Sequence, residues 1–222
     1  MVLVFASNNA HKLEEVRGIM PKDIEVLSLS DIGFEAEIDE TGTTLEENSL
    51  IKASTVAAFI NDGMMNDGMM IDGVFADDTG LEIDALGGKP GVYTARWYLT
   101  NAGMSAAMPL NDEMMIFKAN RTKALRELQG KEDRGAQFRT VITLIRLKDG
   151  AERLQDATLQ VEGIVRGRIA EEEYGNGGFG YDPVFIPEGY DKTFGELPAE
   201  IKNSISHRAR ALAALVKELT IG

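Results

Sequence analysis

A short polar stretch, Ser7–Lys12, follows the first apolar run of the chain. A strand that ends in small polar residues and leads into a helix brings backbone N–H groups together at the helix N-terminus, where the helix dipole favours an anion. Lys12 would add a full positive charge to this turn. The pattern Gly-x-x-x-x-Gly-Lys-Ser/Thr is absent, which argues against a P-loop nucleotide site. The alternative is an ordinary strand-to-helix turn with an Asn cap.

Two adjacent carboxylates, Asp77 and Asp78, follow another apolar run and precede Thr79 and Gly80. Successive side chains of a strand point to opposite faces, so only one of the two can readily face a given site. One carboxylate could bind Mg²⁺ or orient water while the other holds the backbone. Consecutive aspartates do not match the Asp-x-Asp pattern of the haloacid dehalogenase phosphatases. The alternative is an Asx turn with a solvated charge.

A glycine-rich stretch, Gly175–Gly180, carries Phe179. Glycines let a backbone approach a flat ligand, and Phe179 could stack on a base; the alternative is a tight turn with a buried Phe. Further along, Lys202 precedes His207 and Arg208 at a predicted helix start. Cations at a helix N-terminus are unfavourably placed, because that end of the helix dipole is positive. Their presence is easier to explain if a ligand rich in hydrogen-bond acceptors binds there.

The composition limits the chemistry. The chain has no cysteine and only two histidines, so thiol chemistry and a multi-His metal site are excluded, and a metal would be held by carboxylates and water, as Mg²⁺ or Mn²⁺ is. The formal net charge of −13 excludes attraction of nucleic acid or an anionic membrane through the overall field. A small polyanion could still bind where a few cations or a divalent metal converge.

The 222 residues fit one domain of two lobes as well as two domains. Apolar residues make up 44% and charged residues 27% of the chain, which excludes a disordered chain and a coiled coil. No apolar run approaches the 18 residues of a membrane span, and the N-terminus lacks the features of a signal peptide. A cytoplasmic enzyme fits these observations best.

Hydrophobic periodicity predicts strands over residues 2–6, 24–29, 74–76, 81–86, 136–148 and 153–169, and helices over 11–20, 44–60, 109–128 and from Ser206 onward. Thr43 or Thr44 caps the second helix, since an acidic residue lies three positions on. A turn at Asp149 joins the two long strands, and glycines interrupt the second of them. Strands that alternate with helices early and form a long hairpin later predict an α/β protein with a mixed sheet. The methionine-rich repeat at 61–73 is interpreted as a surface loop.

Six motifs follow one another along the chain: Ser7-Asn8-Asn9-x-x-Lys12-x-x-Glu15, Glu40-Thr41-Gly42-x-Thr44-x-x-Glu47-Asn48-x-x-x-Lys52, Ala76-Asp77-Asp78-Thr79-Gly80, Gly87-Gly88-x-Pro90-Gly91, Gly177–Pro183 and Ile205–Ala209. In the content and order of these motifs, nearly the whole chain resembles the Ham1 family of inosine triphosphate pyrophosphatases, which clear non-canonical purine nucleotides. Thr79 stands where serine is usual in the family and Leu45 where an aromatic residue is common.

The resemblance implies a single domain over 1–222, with a mixed twisted sheet, flanking helices and two lobes around a central nucleotide-binding cleft. It implies hydrolysis of ITP, dITP or XTP to the monophosphate and pyrophosphate, with Mg²⁺ as cofactor and Mn²⁺ as a possible substitute. The purine nucleoside triphosphate would be the partner, and the protein would be a homodimer.

The resemblance also assigns roles to residues. Asp78 would be the general base and a metal ligand, and Glu40, or its neighbour Asp39, would be the other metal carboxylate. The residues that would hold the triphosphate are Ser7, Asn8, Asn9, Ala10, His11, Lys12 and Lys52. Thr79 would contact substrate. The residues that would form the base pocket are Phe179, Gly180, Tyr181, Asp182, Lys202, His207 and Arg208.

Two other functions are considered. A catalytically silent nucleotide-binding regulator would need a lost base or metal ligand, yet Asp78, Glu40 and Lys12 are all present. A pyrophosphatase for other modified nucleotides would share the same residues. Product analysis with a panel of triphosphates distinguishes the three.

Overall fold

The first strand, β1 (Val2–Phe5), is a run of apolar residues that ends where the sequence turns polar. Three of its four residues are fully buried, as expected of a parallel strand covered on both faces. It pairs in parallel with β2 (Glu25–Leu27) on one side and β3 (Gly73–Ile83) on the other. In this register, Leu3 lies between Val26 and Gly73.

The structure is a computed structural model that describes residues 1–63, 70–100, 112–147 and 158–221. The chain divides into two units. The first unit comprises Met1–Asp78, Thr140–Gly163 and His207–Gly222, and the second comprises Thr79–Arg139 and Ile164–Ser206. Within the described ranges, no helix has the length and apolar character needed to cross a membrane.

The remaining strands are β4 (Lys89–Gly91), β5 (Gly135–Arg146), β6 (Thr158–Ile169) and β7 (Phe185–Pro187). The helices are α1 (Ala10–Ile19), α2 (Leu45–Asn61), α3 (Glu113–Glu127), α4 (Ala199–Ile205) and α5 (His207–Ile221). The strands follow the order β2-β1-β3-β5-β6-β7, with β4 paired to β3. Pairs β3–β4 and β6–β7 are antiparallel, so the sheet is mixed and the predicted α/β class is confirmed.

Helices cover both faces of the sheet in the first unit. On one face, Val4 and Val74 pack with Val56 of α2. Phe5 and Phe75, which follow Val4 and Val74 in the sequence, point to the other face and pack with Leu212 and Leu215 of α5. Because adjacent strand residues point to opposite faces, the two clusters form separate layers of core. The second unit has its own core, which includes Leu81, Leu128, Phe138, Phe185 and Phe194.

The structure corrects one expectation at the carboxylates. The sequence predicts two strand segments separated by a turn at residues 77–80, whereas β3 runs unbroken from Gly73 to Ile83. Residues 73–75 pair with β1 and residues 81–83 pair with β4, so the strand is paired on both sides of the two aspartates. The polar side chains of Asp77 and Asp78 are therefore held in a strand and not in a loop.

Gly163 does not interrupt β6, contrary to expectation. A Cβ atom at Gly163 would lie 2.1 Å from the His207 carbonyl oxygen and 2.3 Å from the Ala211 nitrogen. The glycine therefore lets the start of α5 lie directly on the strand. Gly167 plays the same part in the second unit, where a Cβ atom would lie 2.3 Å from the carbonyl oxygen of Ile186 in β7.

Some predicted features fall outside the described residues. These are residues 64–69 of the methionine-rich repeat and the turn at Asp149, together with the predicted strand ends beside that turn. The helix predicted from Pro109 is described from Glu113 onward, with Asp112 as its N-cap. The short helix α4 has no counterpart in the sequence prediction.

Candidate functional site

The polar turn between β1 and α1 is held by its own side chains. Asn9 caps α1, because its Oδ1 atom accepts a hydrogen bond from the Lys12 backbone N–H at 2.9 Å. The Ser7 hydroxyl accepts one from the Asn9 N–H at 3.3 Å. The turn therefore has the predicted geometry, a strand that leads through small polar residues into a helix N-terminus. The first residues of α1, Ala10 and His11, are exposed, as is Asn8 of the turn.

Asp77 joins this turn to the start of α5. Its Oδ1 atom lies 2.8 Å from Lys12 Nζ and its Oδ2 atom lies 2.9 Å from Arg208 Nε. Arg208 is fully buried and also pairs with Glu15 of α1. Burial alone would raise the pKa of Asp77, but Lys12 and Arg208 outweigh it and hold that pKa well below its ordinary value. Asp77 is therefore ionised and binds the side chains of Lys12 and Arg208.

Asp78 points into a different set of partners, as alternation along a strand requires. Its Oδ1 atom lies 3.3 Å from Lys52 Nζ, and its Oδ2 atom accepts a hydrogen bond from Asn48 Nδ2 at 3.2 Å. Asn48 and Lys52 lie four residues apart on α2, hence on one face of the helix. Lys52 Nζ also lies 3.3 Å from Glu40 Oε1. Asp78 and Glu40 therefore converge on one ammonium group.

Burial dominates the ionisation of Asp78. It raises the pKa of this carboxyl above the ordinary value, and Lys52 and Lys12 offset only part of the effect. Lys52 differs: burial would lower its pKa, but Asp78 and Glu40 raise it above the usual value, so this ammonium stays charged. For Lys12, burial lowers the pKa despite the nearby Asp77. The pKa values of Asp77 and Asp78 are thus shifted in opposite directions although the two residues are adjacent.

The donor set around Lys52 suits a hard divalent cation. Glu40 and Asp78 offer carboxylate oxygens, the preferred ligands of Mg²⁺ and Mn²⁺. Asp39 and Glu40 are both exposed, but Glu40 makes the contact with Lys52, which favours Glu40 of the two. Across the described ranges, no group of three or more His, Asp or Glu side chains is arranged to hold a metal. An ion held by Glu40 and Asp78 would therefore depend on water and ligand oxygens as well.

Gly42 brings the loop that carries Glu40 against α2. The Gly42 N–H donates to Asn48 Oδ1 at 2.8 Å, and a Cβ atom on this residue would lie 2.6 Å from the same oxygen. Asn48 thus contacts the loop through its oxygen and Asp78 through its nitrogen. Sequence analysis assigned no role to Asn48, although its spacing from Lys52 could have indicated one.

A second cluster lies in the second unit, around the glycine-rich turn. Lys202 Nζ lies 2.6 Å from Asp182 Oδ2 and 4.9 Å from the centre of the Phe179 ring. Asp182 Oδ2 also accepts a hydrogen bond from the Phe179 N–H at 2.7 Å. Gly178 has a φ of +69°, and a Cβ atom there would lie 2.0 Å from Asp182 Oδ2, so no other residue fits this tight turn.

Three further residues that were predicted to contact the substrate are Tyr181, Thr79 and His207. Tyr181 is buried in the core of the second unit, where its hydroxyl donates to the Thr94 carbonyl at 3.1 Å, and burial raises its pKa. Thr79 lies in β3, half-buried. In the first unit, His207 Nδ1 lies 2.6 Å from the hydroxyl of Thr140. Their roles toward a substrate, and that of Arg208 in base recognition, stay predictions.

A mixed α/β fold in which carboxylates and buried cations meet beside a strand-to-helix turn defines a protein suited to a phosphorylated ligand and a divalent metal. The model of the Ham1 family matches residues 3–218, and the chain belongs to that family. The resemblance drawn from the motifs is therefore confirmed.

Relatives match over almost their whole length. The chain is 42% identical to the dITP/XTP pyrophosphatase of Flavobacterium johnsoniae, over 99% of this chain and 98% of the relative. It is 44% identical to that of Bacillus subtilis, over 97% and 96%. Among solved structures, the Ham1 protein of Coxiella burnetii is similar with a TM-score of 0.78 and 33% identity, over 100% of both chains. That of Staphylococcus aureus has a TM-score of 0.75 and 35% identity, over 99% and 98%.

Proposed function

We propose that this protein hydrolyses non-canonical purine nucleoside triphosphates, among them ITP, dITP and XTP, to the monophosphate and pyrophosphate, and so removes them from the nucleotide pool. The observation that carries the proposal is the convergence of Asp78 and Glu40 on Lys52, with Asp77 and Lys12 beside them. Relatives that match over their full length and are named dITP/XTP pyrophosphatase support it.

Lys12 and Lys52 would bind the triphosphate. Lys12 lies in the first turn of α1, where backbone N–H groups and the helix dipole favour an anion. The Lys12 side chain is 16% exposed while it contacts Asp77, so it can reach a ligand at the surface. Held at two points, the distal phosphates are well placed to depart together as pyrophosphate.

Glu40 and Asp78 would hold the divalent metal, Mg²⁺ or its substitute Mn²⁺. When bound, such a cation offsets the charge of the triphosphate and acidifies water. The carboxylates that would hold it are already placed by α2 and β3, because Lys52 draws both toward one point.

Asp78 would act as the general base. Water adds to phosphorus at the α–β anhydride, the anhydride bond breaks, and pyrophosphate leaves while the proton of the water passes to an Asp78 carboxylate oxygen. The raised pKa of Asp78 suits this step, since a base with a higher pKa accepts a proton more readily. Asn48 would hold the other oxygen and so orient the carboxylate.

The Lys202 cluster would recognise the base. Phe179 offers a face on which any base can stack, whereas Lys202 supplies only hydrogen-bond donors. Such donors can bind a 6-keto oxygen but oppose the 6-amino group of adenine. Two or three such donors left unpaired in a closed pocket would give a preference of about 10²- to 10⁵-fold.

Product analysis tests the function. The wild-type protein with Mg²⁺ is given ITP, dITP, XTP, ATP and GTP in turn, and the products are separated by chromatography. We expect monophosphate and pyrophosphate, with kcat/KM for ITP far above that for ATP. Orthophosphate and diphosphate as products would contradict the proposed bond, and equal use of ATP would contradict the proposed selectivity. A pyrophosphatase for other modified nucleotides would be favoured if this panel gave only slow release.

The homodimer and the single domain remain proposals that rest on the resemblance to the family, and the cytoplasmic location remains a proposal that rests on the composition. Light scattering after size-exclusion chromatography measures the oligomeric state directly. A monomer at assay concentrations would contradict the dimer.

A further inference from the structure

Helix α3 presents two side chains to the glycine-rich turn. Phe117 and Arg121 lie four residues apart, so they occupy one face of the helix. The Phe117 ring centre lies 6.1 Å from that of Phe179. Arg121 donates from one terminal nitrogen to the Gly180 carbonyl oxygen at 2.8 Å. Contacts from α3 thus reach two consecutive residues of the turn, one through a ring and one through the backbone.

Arg121 is an unusual residue for this position. It is buried, with 8% of its surface exposed, and its second terminal nitrogen pairs with Glu173 Oε2 at 3.0 Å. Its Nε–H has no hydrogen-bond partner within the described part of the chain. Burial of a charge and of an unpaired donor both cost free energy. A well-packed apolar side chain would avoid both costs, so the bond to Gly180 is the specific contact that the arginine adds.

The turn needs an outside restraint. Gly178 and Gly180 both have positive φ angles, and glycine samples more backbone conformations than other residues. Asp182 fixes the N-terminal side of Phe179, through the Phe179 N–H, and also binds Lys202. The Arg121 bond fixes the carbonyl on the C-terminal side of the ring. Together they hold the backbone of Phe179 at both ends.

We propose that Arg121 is a positioning residue for purine binding. Through its bond to the Gly180 carbonyl, it holds the Phe179 ring in the orientation in which the ring stacks on the base. This inference rests on the proposed function. Arg121 acts on the ring through the backbone, and its effect belongs to recognition of the base and not to the phosphate chemistry of the first unit.

The test compares Arg121→Met with Arg126→Met, an exposed arginine of the same helix. For Arg121→Met we expect KM for ITP to rise about tenfold with kcat nearly unchanged, since loss of an ordered stacking face weakens base binding. Calorimetry with Mg²⁺ should show IMP binding weakened about tenfold and pyrophosphate binding unchanged. Arg121→Lys, which can still reach a carbonyl oxygen, should recover part of the loss. Arg126→Met should match the wild type.

An unchanged KM, or equal weakening of IMP and pyrophosphate, would overturn the positioning role. If Arg121→Met fails to fold by thermal unfolding, Arg121→Lys decides the matter, because it keeps the buried cation but loses the planar, fixed donor geometry of the guanidinium. KM for ITP should then rise severalfold, and an unchanged KM overturns the proposal. Failure of the proposed function is seen separately, as a wild-type protein that releases no pyrophosphate from any purine triphosphate.

Discussion

Asp77 and Asp78 share a strand and a sequence context, yet their surroundings differ because their side chains point to opposite sides. Asp77 is held between Lys12 and Arg208, which lower its pKa, whereas burial raises the pKa of Asp78. Neighbouring carboxyl groups whose pKa values are pushed apart are suited to different tasks. Asp77 is placed to hold cations, and Asp78 is placed to exchange a proton.

We predict that Asp78→Asn keeps the fold and lowers turnover by roughly 100-fold or more, because an amide cannot accept the proton of water. The measurement is kcat for ITP with saturating Mg²⁺, alongside thermal unfolding. The control is Asp84→Asn, which alters an exposed ion pair with Arg166. Turnover of Asp78→Asn within a few-fold of the wild type would remove Asp78 from the role of base.

Asp77→Asn should act on stability. Removal of one member of a buried ion pair costs about 3–5 kcal/mol, here because Lys12 and Arg208 lose their shared partner. Since the pKa of Asp77 is lower in the folded protein, its stabilising effect is complete above the unfolded value of about 3.9 and declines as the pH falls below it. The free energies of unfolding of wild type and variant in urea should therefore differ by more at pH 7 than at pH 3.

The exposed Asp84–Arg166 pair gives the matched comparison for that experiment, with an expected change of about 0–1 kcal/mol for Asp84→Asn. An Asp77→Asn variant as stable as this control at pH 7 would show that the buried pairs contribute little.

At the level of the elements, α2 matters most, because it carries both Asn48 and Lys52. Its start is fixed by a capping box: Thr44 Oγ1 accepts from the Glu47 N–H at 3.1 Å, and Glu47 Oε2 accepts from the Thr44 N–H at 3.2 Å. The cap sets where the helix begins, and so where the two site residues fall on its surface.

We predict that Thr44→Ala lowers the free energy of unfolding by about 1 kcal/mol, because the first turn of α2 loses a cap. Thr55→Ala is the control, since Thr55 is exposed within the same helix and alanine is the better helix former. Urea unfolding of both variants makes the comparison. Equal stabilities would show that the cap is dispensable.

Elements with local signals could be predicted from the sequence. The Asn9 and Thr44 caps, the short apolar run of β1 and the alternating pattern of β5 are local signals, and the structure confirms these elements. The continuity of β3 could not be predicted, because the partner that satisfies Asp77 is Lys12, 65 residues away. The fit of Gly163 against α5 depends on a contact with His207, which is also distant in sequence.

The same limit applies to the candidate site. Asp78, Lys52 and Glu40 were identified through the resemblance to the family, and their convergence is a property of the folded chain. The pairing of Arg208 with Asp77 and Glu15 has no sequence signal, because the three residues come from α5, β3 and α1. Residues four apart on one helix, such as Asn48 and Lys52, are the exception, since their spacing already places them together.

For the molecule as a whole, charge is the main constraint. The net charge is −13, and the first-unit cluster repeats the imbalance locally. Its four carboxylates, Glu15, Glu40, Asp77 and Asp78, meet three cations, Lys12, Lys52 and Arg208, which leaves one negative charge in excess. A triphosphate therefore meets no net positive charge there without a divalent cation.

We predict that removal of divalent metal with EDTA abolishes pyrophosphate release and weakens nucleotide binding, because the carboxylates then repel the phosphates. Turnover and calorimetric binding of ITP are measured before and after chelation. Excess Mg²⁺ or Mn²⁺ should restore both. Full turnover in EDTA would contradict a metal at Glu40 and Asp78.

The composition of the first unit has a consequence for synthesis of the chain on the ribosome. Its segment His207–Gly222 follows every other segment of both units, yet α5 supplies Arg208 to Asp77 and Leu212 and Leu215 to the core. During translation, β1 and the first half of β3 emerge early. Until α5 leaves the exit tunnel, Asp77 lacks Arg208 and the apolar face beneath α5 stays uncovered. Folding from the N-terminus onward, the usual order for nascent domains, therefore cannot finish the unit that contains the N-terminus. A nascent chain stalled before His207 should expose that face to chaperones, whereas all segments of the second unit have by then been made.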